Sequence, residues 1–581
     1  MPCAWINLDQ TKAFDRVSHL WLFKVLKAYG FGPDFIQWIS VLYTDISSSV
    51  IVNGHISEEF AVGRSVRQGD PLSPMLYVLS IEPFAERIRL CPDIKGIQLP
   101  GGKVVAKISQ FADDSTFMLS DINSVRLVLE ECQLYGTVSG ALLNLAKSCA
   151  MWLGRFKTRQ DKPFGLNWVT SKKLLGVVFG YGDNRIQNWG AILKKFESGL
   201  KLNQFRNISM YGRAVLANTL GSSKLYYIGS YLPLPKDYEV KFTRVLFNYV
   251  WGGQHGAIKR ETLYGHPECG GIALVCPGKK CQALLIRHIF QFLNFDSEDY
   301  LPKWTHLTVY WIGLNLRKYR PDYWSNSMPH CLDYRPPFYE AAMKQFLAYK
   351  DSFPNSGPFD SVKNIYNNLM TQVVIPPLIE MRGNYPQIDF KAAWKASHSR
   401  FIDPELRTLN FRICHRTLPV NVILFERGNG ATMDCTFCGK KYCETLEHLF
   451  IHCKQAMVVW FFVKKLLRDL CNHRLKLDSP SILFCQLPRA IRGVDRELIL
   501  YIISLAKHSI WMTRCQRKYE VRVIDGATSL RTFKNRLRFR ISVDFIRYNQ
   551  LDCIERWGRG ISFVKLVAQV VSLPKYKTVC Q

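Results

Sequence analysis

Phe111-Ala112-Asp113-Asp114 sets two adjacent carboxylates between the apolar runs Val104-Val105-Ala106-Lys107-Ile108 and Ser115-Thr116-Phe117-Met118-Leu119. Two short apolar runs separated by so few residues predict a tight β-hairpin with acids at its tip. Carboxylates crowded in this way repel one another unless a cation lies between them. A hard divalent ion such as Mg2+, which keeps several waters and takes one or two carboxylates plus substrate phosphates, suits the position. Two acids in a turn are also ordinary solvated turn residues. A third acid is what separates the readings.

Asp9 supplies it, within Ala4-Trp5-Ile6-Asn7-Leu8-Asp9-Gln10-Thr11-Lys12-Ala13-Phe14-Asp15. The first half predicts a short buried strand ending at Asp9. An amphipathic helix follows through Leu20, Leu22, Phe23, Val25, Leu26 and Tyr29, with Gly30 as its C-cap. Between the acidic sites, Val66-Arg67-Gln68-Gly69-Asp70-Pro71-Leu72-Ser73-Pro74 reads as a loop in which Ser73-Pro74 starts a helix carried on by Leu76, Leu79, Phe84 and Ile88. Asn53-Gly54, between Ser49–Val52 and His55–Phe60, suits a type I' hairpin. Val125, Leu129, Cys132 and Val138 form a further helix stopped by Gly140. The expected fold class is α+β, an antiparallel sheet backed by helices.

A second constellation lies far downstream. Cys435-Thr436-Phe437-Cys438 and Glu444-Thr445-Leu446-Glu447-His448-Leu449-Phe450-Ile451-His452-Cys453 give the spacing Cys-x2-Cys-x9-His-x4-Cys. Cys435, Cys438, His448 and Cys453 are four ligands able to close tetrahedrally on structural Zn2+. Cys443 and His452 are spare donors that leave the quartet open. His266, Cys269, Cys276 and Cys281 have irregular spacing and read as isolated buried thiols rather than a second metal site.

At 581 residues and roughly 150 per domain, the chain has room for about four units. Its 77 Lys and Arg against 47 Asp and Glu leave a net charge of +30, which calls for a polyanionic partner. A membrane surface is the competing partner, but no apolar run approaches the roughly 20 residues of a spanning helix, and no membrane partner is expected. No signal or transit peptide is legible, so the 18 Cys are expected to be reduced in an intracellular, nuclear setting. The tail is basic with interleaved aromatics: Arg514, Arg517, Lys518 and Arg522, then Arg531, Lys534, Arg536, Arg538 and Arg540 among Phe533, Leu537 and Phe539. Such a segment binds phosphates while its aromatics stack on bases or, as expected here, pack in a core.

The ordered motifs Leu8–Asp15, Arg67–Pro74 and Phe111–Asp114 closely resemble the palm motifs of reverse transcriptases from non-LTR (LINE-type) retrotransposons. The likeness continues through Ser139-Gly140-Ala141-Leu142-Leu143-Asn144-Leu145-Ala146-Lys147-Ser148 and through Leu174-Leu175-Gly176-Val177-Val178-Phe179, similar to a primer-grip segment. The resemblance implies an RNA-directed DNA polymerase, in which Asp9, Asp113 and Asp114 bind two Mg2+ ions that clamp the attacking 3'-hydroxyl and the leaving pyrophosphate. It makes Phe14 the steric gate against a ribonucleotide 2'-hydroxyl, with a core aromatic as the competing role. Gln68 and Gly69 touch the incoming nucleotide. Lys147 is either a proton donor to pyrophosphate or a solvated lysine, while Asp15 and Asp70 are structural. The Cys/His constellation and its lead-in Phe411-Arg412-Ile413-Cys414-His415-Arg416 resemble the zinc-binding region of the same proteins.

The implied organisation is a palm over 1–180, a helical thumb over 181–255, a connecting region over 256–400, a zinc-binding module over 401–460 and a basic helical region over 461–581. In the thumb, Trp189, Ile192, Phe196 and Leu200, then Ser209 as N-cap before Val215, Leu216 and Leu220, predict two helices. Lys194, Lys195, Lys201, Arg206 and Arg213 suit a duplex backbone. The implied partners are an RNA template, a DNA primer or target DNA, and deoxynucleoside triphosphates. Only eight residues precede Asp9, where such polymerases carry fingers. The expectation is therefore a truncated chain, with little activity alone, that relies on an upstream element-encoded domain. The alternative is a catalytically dead, retrotransposon-derived nucleic-acid-binding protein.

Overall fold

Strand β1 (Pro2–Gln10) is the centre of the palm because it is apolar on both faces. In the computed structural model it pairs antiparallel with β5 (Asp114–Leu119) on one side and β6 (Leu143–Gly154) on the other. With β4 (Ile108–Phe111) and β7 (Asn167–Trp168) these make a five-stranded sheet, ordered β7-β6-β1-β5-β4. The structure describes residues 2–100, 104–204, 206, 208–253, 256–295, 302–319, 336–357, 360–377, 385–429, 432–471, 475–520, 524–547 and 557.

Alternation along β1 sorts its side chains. Ala4, Ile6 and Leu8 point into a core with Phe117, Leu119, Ala150 and Trp152. Over that face lie α1 (His19–Ala28), α2 (Pro33–Tyr43), α3 (Ser73–Leu90) and α4 (Ile122–Ser139), contributing Leu22, Leu26, Ile39, Leu76, Phe84, Val125 and Val128. Cys3 and Trp5 point the other way and pack with Cys149 and Met151 against Leu174 and Phe179. Those two residues come from a hairpin of β8 (Ser171–Leu174) and β9 (Val177–Gly180), turned by Leu175 at φ +44° and Gly176 at φ +84°.

Several local expectations meet a different outcome. Ser73 is not the cap of α3. It lies in the first turn, and the turn ahead is held by Asp70, whose Oδ1 accepts from the Leu72 amide at 3.0 Å. Leu20 is 67 % exposed and Val138 49 %, so the apolar stripes of α1 and α4 are narrower than their sequences suggest. In the hairpin only Ile51–Val52 and His55–Ile56 pair around the turn, with Asn53 at φ +49° and Gly54 at φ +85°. Strand β6 is long and begins irregularly. Its Asn-Leu-Ala-Lys-Ser start lacks clean alternation, and pairing with β1 imposes the conformation.

The chain divides into two compact units, the first comprising Met1–Asn188, His288–Ala348 and Gly357–Phe359 and the second Trp189–Arg287, Tyr349–Ser356 and Asp360–Gln581. In the second, α5 (Arg185–Lys201) sets Trp189 and Phe196 edge-on to Phe242 of α6 (Lys236–Trp251), with centroids 6.0 and 5.2 Å away. Ser209 caps the helix Met210–Leu216, accepting from the Gly212 amide at 3.2 Å, whereas Val215 is 59 % exposed. Cys276 and Cys281 are buried as expected, but Cys269 is exposed.

The later part of this unit contains α7 (Pro404–Cys414), α8 (Asn421–Glu426), a small hairpin of β10 (Asp434–Cys435) and β11 (Gly439–Cys443), α9 (Lys454–Cys471), α10 (Gly493–Tyr519) and α11 (Gly526–Arg547). Helices α9, α10 and α11 pack on one another through Val459, Val463, Leu466, Ile502, Phe533, Leu537 and Ile541. Arg522 and nearly all of the chain beyond residue 547 lie outside the described residues. No described helix is long and apolar enough to cross a membrane.

Candidate functional sites

The face of β1 that carries Cys3, Trp5 and Asn7 ends in Asp9. The ladder pairs Asn7 with Thr116 and Leu8 with Ser115, so the next step sets Asp9 opposite Asp114. On the other side a bulge between Asn7 and Asp9 shifts the register with β6, and the Asp9 amide donates to Ser148 Oγ at 3.1 Å. Bulges of this kind re-aim a side chain at a strand end. The β4–β5 turn closes with Phe111 opposite Asp114, leaving Ala112 at φ +52° and Asp113 as the tip.

The three acids feel one another. Partial burial pushes the Asp114 carboxyl above its usual range, the negative charges of Asp113 and Asp9 push it further, and Lys172 pulls it back. A cleft of about 420 Å3 is lined by Asn7, Asp9, Asp114, Lys147, Lys172 and Lys173, among others. Lys147 is exposed at its edge. These carboxylates need cations, and the chemistry of the donor set fits a hard divalent ion.

Phe14, half-buried, stacks on Tyr77 with centroids 4.4 Å apart and planes 8° from parallel. Tyr77 is 1 % exposed and its hydroxyl donates to Gln10 Oε1 at 3.2 Å. Burial first, then Tyr135 and Asp113, raises its phenol far above the ordinary range. Gln68 is exposed and donates to Asp15 Oδ1 at 3.4 Å. Gly69 has φ +93° with nothing within 4 Å of the place a Cβ would take, so the backbone there is open to approach.

Lys172, Lys173 and Tyr77 were not singled out from sequence. The signal for the lysines is their place directly before the Leu174-Leu175-Gly176 segment, and for Tyr77 its place one helical turn after Ser73.

In the second unit, one ligand atom from each of Cys435, Cys438, His448 and Cys453 lies within 4.8 Å of the others. The Sγ atoms of Cys438 and Cys453 are 3.5 Å apart. Two sulfurs each ~2.3 Å from a tetrahedral zinc would be about 3.8 Å apart. His448 Nε2 is buried without a hydrogen-bond partner, and its ring stacks on Tyr442 at 5.1 Å. Such an orphaned nitrogen beside three thiols fits zinc. A hydrogen bond from Cys435 and backbone amides at the start of α9 hold the Cys453 thiol below its ordinary pKa, the hydrogen bond being the larger influence. Cys443 and His452 are exposed and stand outside the cluster.

Glu444, immediately after β11, ties this module to the helices. Its Oε2 accepts from the Thr436 amide at 2.8 Å, and its Oε1 from the Asn421 amide at 3.0 Å and Arg514 Nη2 at 2.5 Å. The side chains of Arg514 and Glu444 are both fully buried. For three of the tail's cations the structure shows ion pairs in place of the expected phosphate contacts: Arg514 pairs with Glu444, Arg536 with Glu405, and Arg540 with Asp403 and Asp544. These guanidiniums sit beside acids of the same fold, which neutralise them. Phe533 is buried as expected, while Phe539 is 71 % exposed.

Residues 2–179 match the family model described as reverse transcriptase (RNA-dependent DNA polymerase), and residues 361–460 that described as zinc-binding in reverse transcriptase. The chain is 30 % identical over 315 residues to the transposon TX1 uncharacterized 149 kDa protein of Xenopus laevis, covering 53 % of this chain and 24 % of that one. It is 32 % identical over 145 residues to the retrovirus-related Pol polyprotein from type-2 retrotransposable element R2DM of Drosophila melanogaster, covering 25 % of this chain and 13 % of the relative. Against the Pol polyprotein from type-1 retrotransposable element R2 of Popillia japonica the figures are 27 % over 216 residues, 34 % and 35 %. The matches thus span no more than about a third of these relatives' own lengths. The chain thus carries a reverse transcriptase domain followed by a zinc-binding domain of the kind found in reverse transcriptases, and is similar to the proteins of non-LTR retrotransposons.

Proposed function

We propose that this chain is the polymerase portion of an RNA-directed DNA polymerase that extends a DNA primer on an RNA template with deoxynucleoside triphosphates. The observation that carries the reading is the convergence of Asp9, Asp113 and Asp114 at adjoining strand ends, where burial first and then the charges of Asp113 and Asp9 raise the Asp114 carboxyl. Asp9, Asp113 and Asp114 would hold divalent cations, which would supply charge neutralisation at the 3'-hydroxyl and at the departing pyrophosphate. Phe14, braced by its stack on Tyr77, is the side chain that would discriminate against a 2'-hydroxyl. Gly69 leaves the backbone open to the nucleotide and Gln68 flanks it. Lys147 and Lys172, beside the acids, offer positive charge to the phosphates. Zinc in the Cys435, Cys438, His448 and Cys453 cluster is structural, since a closed set of four protein ligands leaves no open position for substrate. The work is placed in the nucleus, where target DNA lies.

The test is primer extension on an RNA template by the chain and by an Asp113→Asn, Asp114→Asn variant, each with and without a segment preceding the first motif of a related polymerase. Extension, with the chain alone or with the added segment, is expected to vanish in the variant. Nucleic-acid binding without extension under any of these conditions would assign the chain to the non-catalytic reading instead.

A further inference from the structure

Helix α9 leaves the zinc cluster at Cys453 with two unlike faces. Ala456, Val459, Trp460, Val463, Leu466, Leu467 and Leu470 are buried. At about 100° per residue, Lys454, Met457, Val458, Phe461, Lys464, Lys465 and Arg468 fall within an arc of about 120° on the opposite side, and all are exposed. Phe461, at the centre, is 80 % exposed, and Met457 and Val458 beside it are 50 % and 40 % exposed. Among the described residues no carboxylate lies within ion-pair distance of Lys454, Lys464, Lys465 or Arg468. The helix's one acid, Asp469, is half-buried off this arc.

We propose that this outer face of α9 is a binding site for single-stranded nucleic acid. A phenyl ring held in water among four uncompensated cations fits a partner that is both anionic and flat-faced. Unpaired nucleotides offer a stacking surface and a phosphate for each ring. A duplex offers the phosphates but keeps its base faces stacked on one another. In the neighbouring helices Arg514, Arg536 and Arg540 are committed to Glu444, Glu405 and Asp403, unlike the cations of this face. The face is held firmly: Trp460 Nε1 donates to the Phe450 carbonyl at 2.6 Å, anchoring α9 to the turn that carries His448. The site lies in the second unit and does not depend on the polymerase reading.

The test measures fluorescence anisotropy of labelled 20-nucleotide single-stranded RNA, single-stranded DNA of the same sequence and duplex DNA with the zinc-loaded full chain. Phe461→Ala is expected to weaken single-strand binding about tenfold, as loss of one base–aromatic stack does, with duplex binding and the melting temperature unchanged. A larger loss on RNA than on DNA, or the reverse, identifies which strand the site takes. Lys464→Gln with Lys465→Gln should lower the salt dependence of single-strand binding by about 1.4 in the log–log slope. Photocrosslinking of an iodouracil-containing strand should yield a peptide containing Phe461. Unaltered single-strand affinity in Phe461→Ala, an equal loss on duplex DNA, or crosslinks confined to the first unit would overturn the proposal.

Discussion

The acidic site of the palm and the Cys/His site downstream solve opposite problems with the same kind of residue. At the palm, three carboxylates are brought to adjoining strand ends with charge left over, and the fold tolerates their repulsion. In the zinc-binding domain, four donors converge on one point and the acid next to them, Glu444, is fully neutralised by Arg514. An open, electrostatically unsatisfied site can take a cation together with a substrate. A closed one can only take the ion. The difference teaches that the first site has room for an exchangeable ligand, as the proposed polymerase chemistry needs, whereas the second suits a structural ion.

The contrast breaks most visibly under chelation. Removing zinc should abolish amide protection across residues 421–460, drawing on a binding free energy that is on the order of 10 kcal/mol in small zinc modules. Hydrogen exchange followed by mass spectrometry checks this, and the palm strands should keep their protection. Next in size is Glu444→Ala, which leaves Arg514 buried without its partner and is expected to cost about 3–5 kcal/mol in denaturant unfolding. Replacing both by apolar residues of similar volume should recover most of that loss.

Acid should also act on the second unit. His415 is 6 % exposed, bonded through Nε2 to the Gly270 carbonyl at 2.8 Å, and burial pushes its pKa down to about 4. The unfolded chain takes up this proton near the ordinary value of about 6.5 while the folded chain does not. Stability is therefore full above that pH and falls as pH drops through the window toward 4, by about 2 kcal/mol at pH 5 from this residue. His415→Gln should flatten that part of the stability profile.

The smallest effect has the opposite sign. Asp114→Asn removes a charge from the crowded palm site and should stabilise the metal-free chain slightly, by up to about 1 kcal/mol, as relief of like charges across a sheet does. Thermal melting without and with Mg2+ checks it: the gain should disappear when the ion is present. A loss of stability on substitution would mean that the acids are structural.

Much of this contrast is legible in the sequence because it is local. Asp9 falls at the end of an apolar run and Asp113-Asp114 between two others, so their strand positions follow from alternation. The paired cysteines announce themselves by spacing. What the sequence does not reveal depends on partners far along the chain. Arg514 and Arg540 look like phosphate-binding residues until Glu444 and Asp403, 70 and 137 residues away, are found beside them. Lys464 and Arg468 look no different from them and stay exposed. Tyr77 shows its relation to Phe14 only once α3 is laid behind β1, and strand β6 is strand-like mainly because β1 is there to pair with.

The central claim is that one chain holds an exchangeable divalent-ion site at Asp9, Asp113 and Asp114 and a closed zinc site at Cys435, Cys438, His448 and Cys453. Metal analysis combined with Mn2+ electron paramagnetic resonance, on the full chain and on its Asp113→Asn, Asp114→Asn variant, tests it most directly. The account predicts one zinc per chain in both proteins and Mn2+ binding that is lost in the variant. Mn2+ binding that survives the substitutions, or a folded chain without zinc, would contradict it.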